Sequence, residues 1–280
     1  MSQRRELEHH RHSLVEIRNI MNSMKTLAYM ETRKLDRFLD AQQGVVLGIE
    51  TVAEDFLCYF PSLLPEIRAG LTVYLVIGSE RGFCGDFNHA LVDALNATLS
   101  GQVDNETMIV VVGNRLAPLL EDDSRCVATI TGASVAEEVT VQLGQVVSEL
   151  TLLQSGHPGL NLYCIYHSGD AGVAMKRLLP PFQRNSQRQC NFPYPPLLHL
   201  SPPGFLAGLV EHYLFAALYE VLYTSLMAEN YTRLSHLEGA VSHLDDEAER
   251  LSRISNALRQ EEIIEEIEVI LLSTGGFGKG

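Results

Sequence analysis

The run Gly78-Ser-Glu-Arg-Gly-Phe-Cys-Gly-Asp-Phe-Asn88 is the stretch whose residue types and spacing come nearest to chemistry. It follows a predicted strand and precedes a predicted helix, the place where α/β folds cradle phosphate on a helix N-terminus. Its glycines, Gly78, Gly82 and Gly85, lack the Gly-x-Gly-x-x-Gly spacing, and the Lys-Ser/Thr pair of a P-loop is missing. Glu80 and Asp86 would also repel an anion. Tight-turn and helix-packing glycines are therefore favoured over nucleotide binding. Cys84 is a conceivable nucleophile, but His89 is the one histidine close to it in sequence, and a lone cysteine in apolar surroundings is inert without a base. His9, His10 and His12 read as an exposed cluster at a helix start rather than a metal site. The tail Gly275-Gly-Phe-Gly-Lys-Gly280 resembles a P-loop, but no helix follows to receive a phosphate, so a flexible end is expected. No paired-carboxylate or triad arrangement can be assigned. The expectation is no catalytic, cofactor-binding or metal-ligating residue.

The elements that would position these residues fall into three regions. Domains are expected at 1–60, 61–204 and 205–280. From Leu14 to Phe56 the apolar residues step by three and four through Ile17, Met21, Met24, Ala28, Leu35, Phe38, Val45, Ile49 and Val52, interrupted by Glu31 and Gln42. That heptad stripe predicts a long helix packed on another helix. No proline precedes Pro61, so a helix over Arg4–Tyr59 would run ~80 Å. The last quarter repeats the pattern at Leu234, Leu237, Val241, Leu244, Ala248, Leu251, Ser255 and Leu258. A helix over Phe205–Leu272 would run ~100 Å. Two such helices predict an antiparallel coiled coil formed by the two ends of the chain.

Between them the period changes. Short β-branched runs at Thr72–Gly78, Thr107–Gly113, Cys126–Ile130 and Leu160–His167 alternate with helical stretches at Phe87–Leu99, Asn114–Leu120 and Ser134–Gln154. Near-continuous apolar strands of this kind predict a Rossmann-like parallel sheet covered on both faces. The fold class is therefore α/β plus a long coiled coil. Pro180–Gly204 holds seven of the eleven prolines and reads as an irregular connection.

The 280 residues carry 35 Asp and Glu against 21 Lys and Arg, a formal net charge of −14. An acidic chain is not expected to bind nucleic acid or anionic lipid, because both require replacement of phosphate counterions by Lys and Arg. The excess is uneven: residues 1–40 carry +2, residues 41–210 carry −8 and residues 211–280 carry −8. Attraction between the two long helices is expected from that division. The five widely spaced cysteines, Cys58, Cys84, Cys126, Cys164 and Cys190, form no Cys-x-x-Cys pair and read as reduced thiols in a cytosolic setting. No signal peptide and no transmembrane segment are expected, since apolar runs such as Val73–Ile77 and Leu214–Leu218 fall far short of the ~20 residues a span needs.

Three motifs carry a resemblance over almost the whole chain. The segment from Asn256 through Arg259, Gln260, Ile263, Glu266 and Ile267 to Ile270 is similar to the pattern N-x-x-R-Q-x-x-I-x-x-E-I-x-x-I. Ser79 to Asn88 is similar to S-D-R-G-L-C-G-G-L-N. Ile20-Met-Asn-Ser-Met24-Lys-Thr-Leu27-Ala28, followed by Arg33-Lys34, lines up with I-T-K-A-M-x-M-V-A and a following R-K. In their order and placement these resemble the gamma subunits of F-type ATP synthases. The resemblance implies a non-catalytic central rotor shaft inside a hexamer of alpha and beta subunits, its α/β domain beside the epsilon subunit and the membrane c ring. It implies a peripheral position on the cytoplasmic face of the membrane. Arg259 and Gln260 would reach polar catch loops of beta, Ile263 and Ile267 would run in an apolar bearing, and Ile20, Met24, Arg33 and Lys34 would lie toward the lever surface. Asn22 and Glu31 stand where the family shows lysine, and Leu234 and Leu237 where it usually shows methionine. Those departures imply a divergent gamma, as in alternative ion-pumping ATPases. Two rival readings are a non-rotary coiled-coil adaptor and an enzyme using Cys84.

Overall fold

The computed structural model describes residues 3–64, 70–100, 106–156, 159–169, 172–183, 190 and 192–275. The tail beyond Gly275 and part of the proline-rich connection lie outside them. The chain opens with α1 (Gln3–Tyr59) and closes with α4 (Pro202–Gly275), helices of 57 and 74 residues. Helix α1 stops before Pro61, as the restriction that proline places on its predecessor requires. Helix α4 begins at Pro202, three residues ahead of the expected Phe205, because a first-turn proline gives up an N–H that has no helical acceptor anyway.

Between the helices run β1 (Leu71–Ile77), α2 (Phe87–Leu99), β2 (Thr107–Val112), β3 (Cys126–Ile130), α3 (Val139–Ser155), β4 (Leu160–His167) and β5 (Val173–Leu179). The strand order is β3-β2-β1-β4-β5. The first four strands are parallel, while β5 runs antiparallel to β4, so the sheet is mixed rather than wholly parallel. Strand β5 is missing from the sequence reading because Lys176 and Arg177 interrupt its apolar pattern, as befits a charged edge strand. Its turn closes through Ser168 N donating to Gly172 O at 2.8 Å, with Gly169 and Gly172 at positive φ. The expected helix Asn114–Leu120 shrinks to a 3-10 turn at Ala117–Leu119.

All seven residues of β1 are buried, because helices cover both faces of the sheet. On one face Val73, Leu75, Val110 and Leu162 pack with Leu143 and Val146 of α3 and with Ala217 and Val221 of α4. On the other, Tyr74, Val76, Ile109 and Ile165 pack with Phe87, Leu91 and Leu95 of α2. The first part of α4 has the length and composition to cross a membrane. Here its Tyr213, Leu218 and Leu222 are core residues of the domain.

The chain divides into two compact units. One runs from Ala28 to Arg233 and holds the sheet. Within it the buried seam of α1 passes through Ala28, Thr32, Leu35, Leu39, Gln42, Val46, Ile49, Ala53 and Phe56, alternating steps of four and three. The expected seam through Phe38, Val45 and Val52 is thus one residue early: those three side chains are exposed. Gln42, read as an interruption, is a seam residue whose Nε2 donates to Ala216 O at 3.0 Å. The other unit joins the residues up to Leu27 with those from Leu234. There Arg4, Arg18 and Lys25 of α1 lie 3.0, 2.7 and 3.6 Å from Glu262, Asp245 and Glu238 of α4. Partner numbers fall as α1 numbers rise, so the two segments run antiparallel. Exposed pairs of this kind contribute less than about 1 kcal/mol each, so they set register more than stability.

Not all five cysteines are reduced thiols. Cys58, near the end of α1, is disulfide-bonded to Cys190 after β5, with 5.5 Å between their Cα atoms. A separation of 132 residues hides such a pair from any spacing rule. Alkylation of the unfolded, unreduced chain should therefore label three thiols, rising to five after reduction. Leu75 is fully buried at the centre of β1, so Leu75→Ala should cost about 2–5 kcal/mol in a denaturant titration.

Candidate functional site

The glycine-rich run emerges at the C-terminal end of β1. In an open α/β sheet the crevice beside the reversal of strand order, here between β1 and β4, is where ligands enter. The backbone N–H groups of Glu80 and Arg81 face an anion there, and that anion belongs to the protein: each donates to the Glu229 carboxylate of α4 at 3.3 Å. Four residues on, Arg233 pairs with Glu229 and donates through Nε to Gly82 O at 3.2 Å and through Nη1 to Asn230 Oδ1 at 2.8 Å. Glu229 and Arg233 are 3% and 5% exposed. Burial pushes the Glu229 carboxyl above the usual range, while Arg233 and the two loop N–H groups pull against that shift.

The same run gathers the neighbouring loops. Glu80, expected to repel an anion, accepts from Asn114 N at 3.0 Å, Asn114 Nδ2 at 2.5 Å and Gly132 N at 2.7 Å, tying together the segments after β1, β2 and β3. Ser79 N donates to Asn88 Oδ1, and Asn88 Nδ2 returns a bond to Ser79 Oγ, both at 2.9 Å. Gly113 sits at φ +106°, and a Cβ there would lie 2.8 Å from Gly78 O, so no side chain fits. Phe83 holds φ +65°, a left-handed conformation that is uncommon for a bulky residue.

Cys84 lies inside this knot, 4% exposed, its thiol pushed up to about 11, chiefly by burial. Its nearest polar neighbours are Arg81 O and Gly82 O and the Arg233 guanidinium, each 3.5 Å from the sulfur. The Glu229 charge adds to the upward shift, Arg233 and Ser79 oppose it, and burial outweighs them, so the thiol stays protonated at neutral pH. Among the described residues no cluster of His, Cys, Asp and Glu could hold a metal ion. A shallow depression of ≈450 Å³ beside β3, lined by residues including Asn114, Pro118, Glu121 and Val127, gathers no catalytic set.

The predicted partner-contact residues occupy different settings. Ile20 is 62% exposed, and Met24 is half-buried. Arg33 is exposed and stays on its own helix, its Nε donating to Tyr29 Oη at 3.3 Å. Lys34 is engaged inside the chain, pairing with Glu137 and lying 3.9 Å from Glu31. Glu31, read as a lost positive charge, accepts from Ala136 N at 3.2 Å and so joins α1 to the turn Ala136–Glu138. Arg259, Gln260, Ile263 and Ile267 are all exposed near the end of α4, beside exposed Ile264, Val269 and Ile270. Glu229 and Arg233 escaped the sequence reading. The available signal was an acid and a base one helical turn apart in a stretch, Val221 to Leu234, that holds no other charged residue.

His167, at the end of β4, stacks on Phe87 with ring centroids 3.9 Å apart, and its Nε2 meets Phe87 O at 2.8 Å. Burial lowers its pKa, although the Phe87 carbonyl opposes the shift. The folded state therefore prefers neutral His167, and its contribution is complete above the ordinary value of 6.5 and fades as pH falls through the lower folded value. His167→Gln should flatten the chain's stability profile between that lower value and 6.5, measured by thermal unfolding at a series of pH values.

Comparison with known proteins covers nearly the whole chain. The family model described as ATP synthase matches residues 3–274. An ATP synthase gamma chain from Caldanaerobacter subterraneus subsp. tengcongensis is 23% identical, the match covering 92% of this chain and 95% of that one. One from Clostridium beijerinckii is 24% identical over 92% of this chain and 93% of its own. Among solved structures, a chain of the Euglena gracilis mitochondrial ATP synthase, in an assembly described as OSCP/F1/c-ring, superposes with TM-score 0.60 at 14% identity, covering 99% of this chain and 96% of that chain. A chain of the Tetrahymena thermophila mitochondrial ATP synthase central stalk and c ring gives TM-score 0.55 at 18% identity, covering 79% and 99%.

Proposed function

Because the chain belongs to the ATP synthase family, we infer from its fold and site that it is a gamma-type subunit, the central rotor shaft of a rotary ATP synthase or ATPase. The observation that carries this reading is the pairing of a five-stranded domain with two long helices, the longer ending in exposed apolar side chains. A shaft couples two machines when its rotational states favour different conformations of what surrounds it, a coupling free energy rather than a chemical step. The protonated, buried Cys84 supports a non-catalytic role, with ATP made or hydrolysed on other subunits.

The finer assignments follow the same logic. The terminal segments wind as an antiparallel coiled coil, supported by the ion pairs of Arg4, Arg18 and Lys25. The chain is organised as shaft segments at 1–60 and 205–280 around an α/β domain and connection at 61–204. Its partners are an alpha–beta hexamer, an epsilon subunit and a membrane c ring, on the cytoplasmic face. Arg259 and Gln260 offer charge and hydrogen bonds to the hexamer, while Ile263 and Ile267 offer a smooth apolar surface on which a shaft turns without fixed bonds. Ile20, Met24 and Arg33 extend the contact along α1. Lys34 has a second task, since it also pairs with Glu137.

Truncation after Leu258 removes the whole tip. In the reconstituted complex it should lower ion pumping per ATP hydrolysed about five-fold or more, the lower end of ordinary coupling between sites. Unchanged pumping would overturn the assignment of the tip. Purification of the chain without nucleotide-binding subunits, from cells that make the whole complex, would favour a non-rotary adaptor instead.

A further inference from the structure

We propose that Glu229 and Arg233 are positioning residues that lock α4 against rotation within the α/β domain, so that torque on the domain enters the shaft helix there. The proposal rests on the rotor reading and assigns that role to two residues outside the predicted contacts. Apolar attraction between α4 and the sheet is non-directional in origin, and the bonds of Lys176 to Glu220 and of Gln42 to Ala216 O tie α4 to β5 and α1 rather than to the loop after β1. Hydrogen bonds to that loop have a fixed direction. Glu229 receives the N–H groups of Glu80 and Arg81, and Arg233, one turn later, donates to Gly82 O. Three consecutive loop residues are thus held by one helix face, with donors and acceptor both answered. Ser225, one turn before Glu229, adds a bond from its Oγ to Ile77 O at 3.3 Å.

The burial of this pair argues for a purpose other than stability. A buried ion pair replaced by apolar residues of similar size often leaves a protein as stable as before, since desolvation cancels most of the attraction. What such a pair supplies is a single permitted geometry. The left-handed Phe83, next to Gly82, points the same way: strain of that kind persists where the surroundings over-determine the backbone. Glu229 and Arg233 lie on α4, whose helical hydrogen bonding runs from Pro202 to Gly275.

The test uses the assembled complex carrying the double substitution Glu229→Leu and Arg233→Met, which keeps apolar bulk and removes the side-chain bonds of both residues to Glu80, Arg81 and Gly82. Two quantities are read: amide hydrogen exchange over residues 79–84, and ions pumped per ATP hydrolysed. The proposal expects faster exchange in that loop and a fall in the pumping ratio of about five-fold or more, in a complex of normal composition. A wild-type ratio in the assembled variant overturns the lock. If the double variant does not assemble, Glu229→Gln, which keeps the shape and loses the charge, decides: its ratio falls at least about two-fold or the lock is wrong. A complex lacking this chain that still pumps would overturn the rotor reading itself, an outcome distinct from failure of the lock.

Discussion

The carboxylate of Glu229 sits where the backbone amides of a strand–helix turn would otherwise receive a ligand, and most of the sheet's C-terminal end is organised around that contact. Removing a carboxylate from water is costly, and hydrogen-bond donors and an opposite charge offset part of that cost. Arg233, Glu80 N and Arg81 N supply those donors. Glu80 then turns its own side chain toward Asn114 and Gly132, so the loops after β2 and β3 are fixed through the loop after β1. In the run, Gly78 leaves room for the Leu116 and Asn88 side chains and Gly85 takes a positive φ, while Gly113 after β2 meets the backbone of Gly78.

Such a centre needs a rigid frame. Strand β1 provides it, buried on both faces and paired in register to β2 on one side and β4 on the other. Charge is distributed to match. Inside the domain, Lys176 pairs with Glu220 at 2.6 Å and Lys34 with Glu137, both joining separate elements. In the unit that joins the two ends of the chain, three basic residues of α1 meet three acidic residues of α4. In four of these five pairs the positive partner belongs to α1.

Much of this was legible in the amino-acid sequence, and the misses have physical reasons. The two long helices and four parallel strands followed from apolar periodicity, which depends on local geometry alone. Strand β5 did not, since Lys176 and Arg177 belong to an edge whose outer side needs no apolar residue. On α1 the seam holds at Leu35, Ile49 and Phe56, but Phe38, Val45 and Val52 stand one residue before Leu39, Val46 and Ala53, and Gln42 holds a seam place by a hydrogen bond that hydrophobicity does not report. Glu31 was read as a charge missing from an outer surface, yet it accepts an N–H from Ala136 within the domain. Glu229 and Arg233 were overlooked for a similar reason. Their meaning depends on a loop some 150 residues away, and no periodicity reports that. The tip residues Arg259, Gln260, Ile263 and Ile267 were legible only as a motif, because exposed side chains leave no mark on packing.

Gln42 has a further consequence. Its amide is satisfied by a single carbonyl, that of Ala216, on a helix whose neighbouring seam positions are apolar. Sliding α1 by one heptad along α4 would set Gln42 against Leu209 or Tyr223, whose larger side chains cover the backbone that Ala216 leaves open, and an amide left unanswered there costs about 1–3 kcal/mol. The domain's two helices thus share one longitudinal setting among the many their apolar residues would tolerate. A rod pinned in this way keeps its length under load, so twisting effort is not dissipated as axial creep.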